Sequence, residues 1–166
     1  MATAASVSNF ILSMLAPGRE LETIKLQKLL YFCQGWSLAL CRKPLFQEEF
    51  EAWRYGPVVR EIYSEHARYV RIPQSFRFHE SSSLRHDPNQ DTELDAEEQR
   101  LVRSVVRDYG SLNTFRLVDI THLPGTPWSQ VHQPEGEAQV IPKHLLEQFF
   151  LNEKNRVSMT GELIPA

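Results

Sequence analysis

Apolar side chains recur along this chain at helical spacing, and residues that start or stop helices bound each stretch. Val7, Phe10, Ile11, Met14 and Leu15 fall at i, i+3, i+4, i+7 and i+8 behind a capping Ser6, and Pro17-Gly18 ends that helix. Leucines 26, 29 and 30, then Cys33 and Leu40, draw one apolar stripe on a second helix from about Ile24 to Leu40. Thr23 stands at its N-cap, Lys25 and Lys28 take the wet face, and Arg42-Lys43-Pro44 breaks it with positive charge at its negative end. In a third helix, opened by Pro57 and closed by Pro73, Val59, Ile62, Tyr63, His66 and Val70 share one side. Asp95-Ala96-Glu97-Glu98 forms a capping box, followed by an inner face of Leu101, Val102, Val105, Val106 and Tyr109 and by Gly110 as C-terminal cap. Ser111 caps a shorter helix through about Thr121, and Leu123-Pro124-Gly125-Thr126-Pro127 is too rich in proline to continue it. The last helix begins at Pro142 and buries Leu145, Leu146 and Phe149.

Two stretches alternate instead. Residues 49 to 54 read as a strand with Phe50 and Ala52 on one face and Trp53 and Tyr55 on the other, ending at the Gly56-Pro57 corner. Ser75-Phe76-Arg77-Phe78-His79 alternates cleanly and is expected to pair with it, forming a small sheet that is stable only when packed on helices. The pattern predicts an α+β fold, mainly α: a compact domain of about six helices with a two- or three-stranded β element. One domain spans 5–151, with 80–94 as a flexible loop and 152–166 as a polar tail, where Leu163-Ile164-Pro165 is the part able to dock.

Composition narrows the classes. The 166 residues suit one domain, and 42% hydrophobic residues supply a core. A net charge of -3 gives no global attraction to phosphates or anionic lipid, so nucleic-acid binding needs a local patch. No apolar run approaches the ~20 residues of a membrane span, and Met1 to Met14 lacks the basic start of a signal peptide. Cys33 and Cys41, if both lie on one helix, are held about 12 Å apart at a rise of roughly 1.5 Å per residue, too far for a disulfide. A reducing cytoplasm is the expected location.

Three blocks carry a resemblance. Lys25-Leu26-Gln27-Lys28-Leu29-Leu30-Tyr31 leads to Cys33 before Gln34-Gly35-Trp36; Pro44-Leu45-Phe46 follows, then Ala52-Trp53-Arg54-Tyr55-Gly56-Pro57-Val58; Thr121-His122 and Pro127-Trp128 stand near the end. In this order they resemble the Panacea antitoxin domain family, which includes phage-associated GepA-like proteins and SocA-like proteolytic adaptors. The resemblance covers about residues 5 to 132. Cys33 departs from the family pattern, where alanine is commoner, but a buried thiol packs as a small hydrophobe. The resemblance implies an antitoxin that neutralises a cognate protein toxin by direct contact, the toxin being encoded by the adjacent gene. It also implies a second branch, delivery of the toxin to a cytoplasmic protease.

Candidate chemistry is sparse. Walker, dinucleotide-binding, Gly-x-Ser-x-Gly and HExxH patterns are absent from the sequence, and His66, His79, His86, His122, His132 and His144 show no metal-ligand spacing, so no cofactor or metal is expected. The sharpest catalytic set is Cys33 as nucleophile, His122 as base and Asp119 as orienter; the competing assignment has Cys33 filling the core and His122 bonding the carbonyls at a helix end. The expected sites are therefore protein-binding ones: Trp53, Arg54, Tyr55, Gly56 and Pro57, with His122, Pro127 and Trp128. An exposed aromatic beside arginine anchors interfaces, although Trp53 also fits a core position. Arg54 either pairs with Glu51 or Glu61 or presents its charge to a partner. The Pro127-Trp128 turn is either a lid over the core or a rigid contact surface. The alternative function is a DNA-binding regulator of a phage or mobile element, with Arg54, Arg60, Arg68, Arg71 and Arg77 gathered on one face. The acidic total charge speaks against it, and the same arginines fit a solvated helix face paired to Glu61 and Glu65.

Overall fold

A computed structural model describes residues 1–79 and 93–152. The loop expected over 80–94 and the tail over 152–166 lie almost entirely outside those residues. The described architecture is α+β and mainly α. In chain order it runs α1 (Ala4–Ser13), β1 (Glu20–Glu22), α2 (Thr23–Trp36), a π-helical turn (Ser37–Cys41), β2 (Phe50–Trp53), β3 (Gly56–Val59), α3 (Arg60–His66), β4 (Arg71–Pro73), α4 (Ala96–Tyr109), α5 (Thr114–His122), α6 (Pro127–Val131), β5 (Val140–Ile141) and α7 (Lys143–Leu151).

Helix α2 is the axis, and every residue from Leu26 to Trp36 is buried. It meets α1, α4, α5, α7, β1 and β3. The expectation of an amphipathic helix with Lys28 on a wet face is overturned: neighbours surround α2, and Lys28 is only 1% exposed. Leu40, expected on the apolar stripe, is 46% exposed because the π-helical turn rotates it out of register. Around α2 the rings interlock. Phe32 stacks on Tyr109 at 4.0 Å, Trp36 Nε1 donates to Tyr109 Oη at 3.0 Å, and Phe150 sits edge-on to Tyr31, Phe32 and Trp36. Phe150 reaches the helix because residue 35 has no side chain, and a Cβ there would overlap its ring.

Antiparallel β2 and β3 form a hairpin with Trp53 opposite Gly56 and Phe50 opposite Val59, joined by the two-residue turn Arg54-Tyr55. The third helix was expected to open at Pro57; instead Pro57 lies inside β3 and α3 begins at Arg60. The reason is that β3 is an edge strand of the order β3-β2-β5, a place where a missing N–H is tolerated, and Val58-Val59 favour extended backbone. Gly56 turns the corner at φ 106°, a conformation side chains rarely adopt. The expected partner of β2, residues 75–79, is not a strand. Phe78 instead has its C=O and N–H bonded by the side-chain amide of Asn9, at 3.0 and 2.8 Å, while β5 pairs with β2 and β1 pairs with β4.

Several caps move as well. Thr3, not Ser6, caps α1, and Ser6 closes the capping box from the N3 position. Thr23 is the first helical residue of α2 and spends its hydroxyl elsewhere, leaving Glu22 as an N-cap without a side-chain bond. Asn113 rather than Ser111 caps α5, and Thr126 caps α6, a short helix that begins at Pro127 where a continued loop was expected. The Asp95 capping box of α4 is as expected, with both bonds to Glu98 formed.

Gly35→Ala drives a methyl group into Phe150 and is expected to destabilise the fold by about 1–3 kcal/mol. A thermal melt checks this, and adding Phe150→Leu should recover part of the loss if overlap is the cause.

Candidate functional site

Two consecutive polar residues of α2 hold the hairpin. Val59 N donates to Gln27 Oε1 at 2.9 Å, and Gln27 Nε2 faces Val59 O at 3.4 Å, so one side-chain amide serves the free edge of β3 as a neighbouring strand would. The same Nε2 lies 2.9 Å from His66 Nε2. Because the amide nitrogen donates, His66 accepts at Nε2 and is neutral there, and burial holds its pKa below the usual value. Lys28 Nζ donates to Pro57 O at 2.9 Å, and burial without a carboxylate partner among the described residues lowers the amine to about 7. Gly56 leaves the room: a Cβ would meet Lys28 Cε at 2.6 Å and Thr121 Oγ1 at 2.8 Å.

On the far side, three rings stack across α5 and α6. Trp128 lies 3.8 Å from His122 and 4.2 Å from His132, nearly parallel to both. Trp128 Nε1 donates to Trp53 O at 2.6 Å, and His132 Nδ1 sits 3.3 Å from Ala52 O, so the stack grips the backbone of β2. His122 does not bond the carbonyls at its helix end; its buried Nε2 has no hydrogen-bond partner among the described residues. Burial first, then the nearby Lys28 and His132, lowers its pKa.

Above this frame opens a groove of about 280 Å³ between α2, the hairpin turn and α3. Trp53, Arg54 and Tyr55 line it, as do Ile24, Tyr63, Tyr69 and Val70, with Gln27, Lys28 and His66 among the other lining residues. Five of the eleven exposed large hydrophobics of the described chain line this one cavity: Ile24, Tyr55, Tyr63, Tyr69 and Val70. Their backbone is tied down. Thr23 Oγ1 donates to Tyr69 O at 3.0 Å, and Thr23 N donates to Val70 O at 2.9 Å, while Val70 itself is 78% exposed. Behind them Phe76 lies against Tyr69 and Phe78, and His66 against Tyr63 and Phe78.

Of the residues singled out from sequence, Trp53, Arg54 and Tyr55 come together at the groove, with Trp53 half-buried and edge-on to Tyr63 at 4.6 Å. Gly56, Pro57 and Pro127 are buried, and His122 and Trp128 are half-buried behind the hairpin. Arg54 pairs with neither Glu51 nor Glu61; Glu51 takes a two-pronged bond from Arg60, which holds its carboxyl below the usual range. Glu65 bonds His79 rather than an arginine. Of the five arginines gathered for a nucleic-acid face, Arg60 is thus committed to Glu51, and Arg77 to the carbonyls of Gln74 and Phe76. Sequence reasoning missed Tyr69 as a groove residue and set Val70 on a helix face, because α3 stops at His66 and its periodicity no longer applies. The available signal was the aromatic density from Trp53 to Phe78.

Of the catalytic set considered from sequence, Cys33 is sealed, His122 is half-buried and Asp119 is exposed. Cys33 is fully buried, burial pushes its thiol up, and Cys33 and Cys41 are both free. Among the described residues no group of three or more His, Cys, Asp or Glu is placed to hold a metal, and no described helix is long and apolar enough to cross a membrane.

The whole is a small α+β domain with a rigid aromatic groove over a buried amine. Residues 26–129 match the family described as antitoxin SocA-like, Panacea domain, and the chain belongs to that family. It is similar to the protein named Antitoxin SocA of Caulobacter vibrioides (strain NA1000 / CB15N), 28% identical over 138 residues that cover 80% of this chain and 72% of that protein. No solved structure matches it significantly.

Two outcomes follow from the site. The unfolded chain keeps a proton on Lys28 up to about 10.5, whereas the folded chain sheds it near 7. Between those values the unfolded state binds more protons, so stability rises with pH, by at most about 1.4 kcal/mol per unit. Denaturant melts from pH 7 to 8, below the region where the unfolded thiol of Cys33 ionises and opposes the trend, should show that slope in the native chain and lose it in Lys28→Met. Trp128→Ala removes the middle ring of the stack and the bond to Trp53 O, and should cost about 2–4 kcal/mol by thermal melt, the behaviour of a brace rather than of an outer contact.

Proposed function

We propose that this protein is an antitoxin that neutralises a cognate protein toxin by direct contact, without catalysis, and that the groove face bearing Trp53, Arg54 and Tyr55 makes the contact. Family membership supports the antitoxin role. The observation that carries the mode of action is the convergence of exposed apolar side chains on anchored backbone: Tyr55, Tyr63, Tyr69 and Val70 already stand where they would be used. Little side-chain or loop entropy is then lost on binding, and a few aromatic anchors dominate such interfaces. Gly56, Pro57, His122, Pro127 and Trp128 serve the face by shaping and bracing it. Covering a toxin's working surface needs only complementarity, which fits a molecule whose Cys33 thiol is buried. The proposal includes a toxin encoded by the adjacent gene and a complex formed in the cytoplasm.

Co-expression with the neighbouring open reading frame, scoring growth and co-purification, tests the reading. The native chain should restore growth and carry the toxin through purification, whereas Tyr55→Ala combined with Tyr69→Ala should lose both with its melting temperature within a few degrees of native. Toxin abundance separates two routes: masking leaves the level unchanged, while delivery to a protease lowers it. Rescue by the double variant at native strength would remove the groove from the mechanism.

A further inference from the structure

We infer that the groove takes an acidic segment of the partner polypeptide, with one large apolar side chain seated among Tyr55, Tyr63 and Tyr69 and a neighbouring carboxylate on Arg54. The inference rests on the proposed antitoxin reading for there being a polypeptide partner, and adds the chemistry by which that partner is recognised.

The exposed charge at the groove mouth has the opposite sign to the chain. The net charge is -3, yet the exposed charge in the lining is the Arg54 guanidinium; Glu22 is half-buried, and Lys28 is a buried amine that is only partly protonated at neutral pH. Glu22 stands opposite Arg71 in the β1–β4 register, where a like-signed partner would be opposed and an opposite one is favoured. Arg54 is not balanced: it is exposed, and no carboxylate of the described residues lies within ion-pair distance of it. Arg60 makes the contrast, since it finds Glu51 at 2.8 Å. Arg68, between the lining residues Ala67 and Tyr69, is exposed and also lacks a described carboxylate.

Geometry adds to charge. The Arg54 guanidinium lies 5.5 Å from the centre of the Tyr55 ring, so the fork is already held against an aromatic ring at the groove mouth. A planar fork fixed in this way suits a carboxylate, which accepts two parallel bonds from it. The rings deeper in the cavity offer an apolar seat beside it. A nucleic-acid strand would also value a ring next to a guanidinium, but it needs cations in series, and Arg60 and Arg77 are already spent on intramolecular partners.

The test uses the full chain and defined peptides. Capped pentapeptides with a central Leu flanked on both sides by Glu, Gln or Lys, an Ala-centred Glu version, and a labelled single-stranded oligonucleotide are titrated at low salt by amide NMR. The Leu-centred Glu peptide should shift resonances of Arg54, Tyr55 and Tyr69. It should bind about fivefold more tightly than the Gln peptide and still more tightly than the Lys peptide, and the Ala-centred version should lose most of the affinity. Arg54→Glu should invert the order of the Glu and Lys peptides with an unchanged melting temperature. Equal binding of Glu and Lys peptides, absence of binding, shifts away from the groove, or preference for the oligonucleotide would each overturn the inference. A chain that protects cells yet ignores the Glu peptide keeps the proposed function and loses this inference; a chain that binds the Glu peptide but captures no toxin does the reverse.

Discussion

Three side-chain amides do in this fold what neighbouring strands do in a larger sheet. Asn9 bonds both the N–H and the C=O of Phe78, Gln27 faces both those of Val59, and Gln34 accepts from Leu45 and donates to Phe46 O. In each case the apolar residue so held is buried: Phe78 is 4% exposed, and Val59 and Phe46 are 0% exposed. A buried backbone group left without a partner costs about 1–3 kcal/mol, so irregular chain cannot enter a core unless something satisfies it. The amides are that something. They let a domain with short strands bring a hairpin edge and two loops against a helix buried along most of its length.

This constraint explains why the polar letters inside the leucine-rich string matter as much as the leucines. Gln27, Lys28 and Gln34 all point into the protein, and each is matched to one later segment: Val59, Pro57 and the Leu45-Phe46 pair. Replacing Gln27 by an apolar residue would raise the hydrophobicity of α2 yet strand the β3 edge. Gly35 and Gly56 follow the same logic, the first admitting Phe150 to the helix surface and the second admitting Lys28 beneath the hairpin. The groove depends on both, because its floor is α2 and its wall is the hairpin that α2 secures.

What the sequence disclosed was what is local. The first and last helices follow from spacing, although Thr3 rather than Ser6 caps the first and Leu145 of the last is only half-buried, and α4 follows from its Asp95 capping box. Gly56-Pro57 misled because that pair is equally good chemistry for a helix start and for an edge strand, and only the pairing with Phe50 to Trp53 decides. Lys28 read as solvated because lysine on a helix usually is; its burial depends on α5 and β3 arriving over it, which no window of sequence shows. Trp53, Arg54 and Tyr55 were legible as a surface motif. Tyr69 and Val70 were not, since their exposure is set by a bond from Thr23, more than forty positions away in the chain.

The burial of the reactive groups accords with the binding role proposed above. Cys33, Lys28 and His66 have the chemistry that a hydrolase or transferase would exploit, and all three are buried. Their perturbed titration is a consequence of exclusion from water: the thiol is pushed up, the amine down, and the imidazole held neutral to accept from Gln27. A shifted pKa marks a reaction centre only when a substrate can reach the group, and here the lysine and histidine are bonded to the frame of the groove. The groove instead presents aromatic rings and a guanidinium that has no carboxylate partner among the described residues. Such a surface loses little conformational entropy on being covered, which is what the proposed contact with a protein toxin requires.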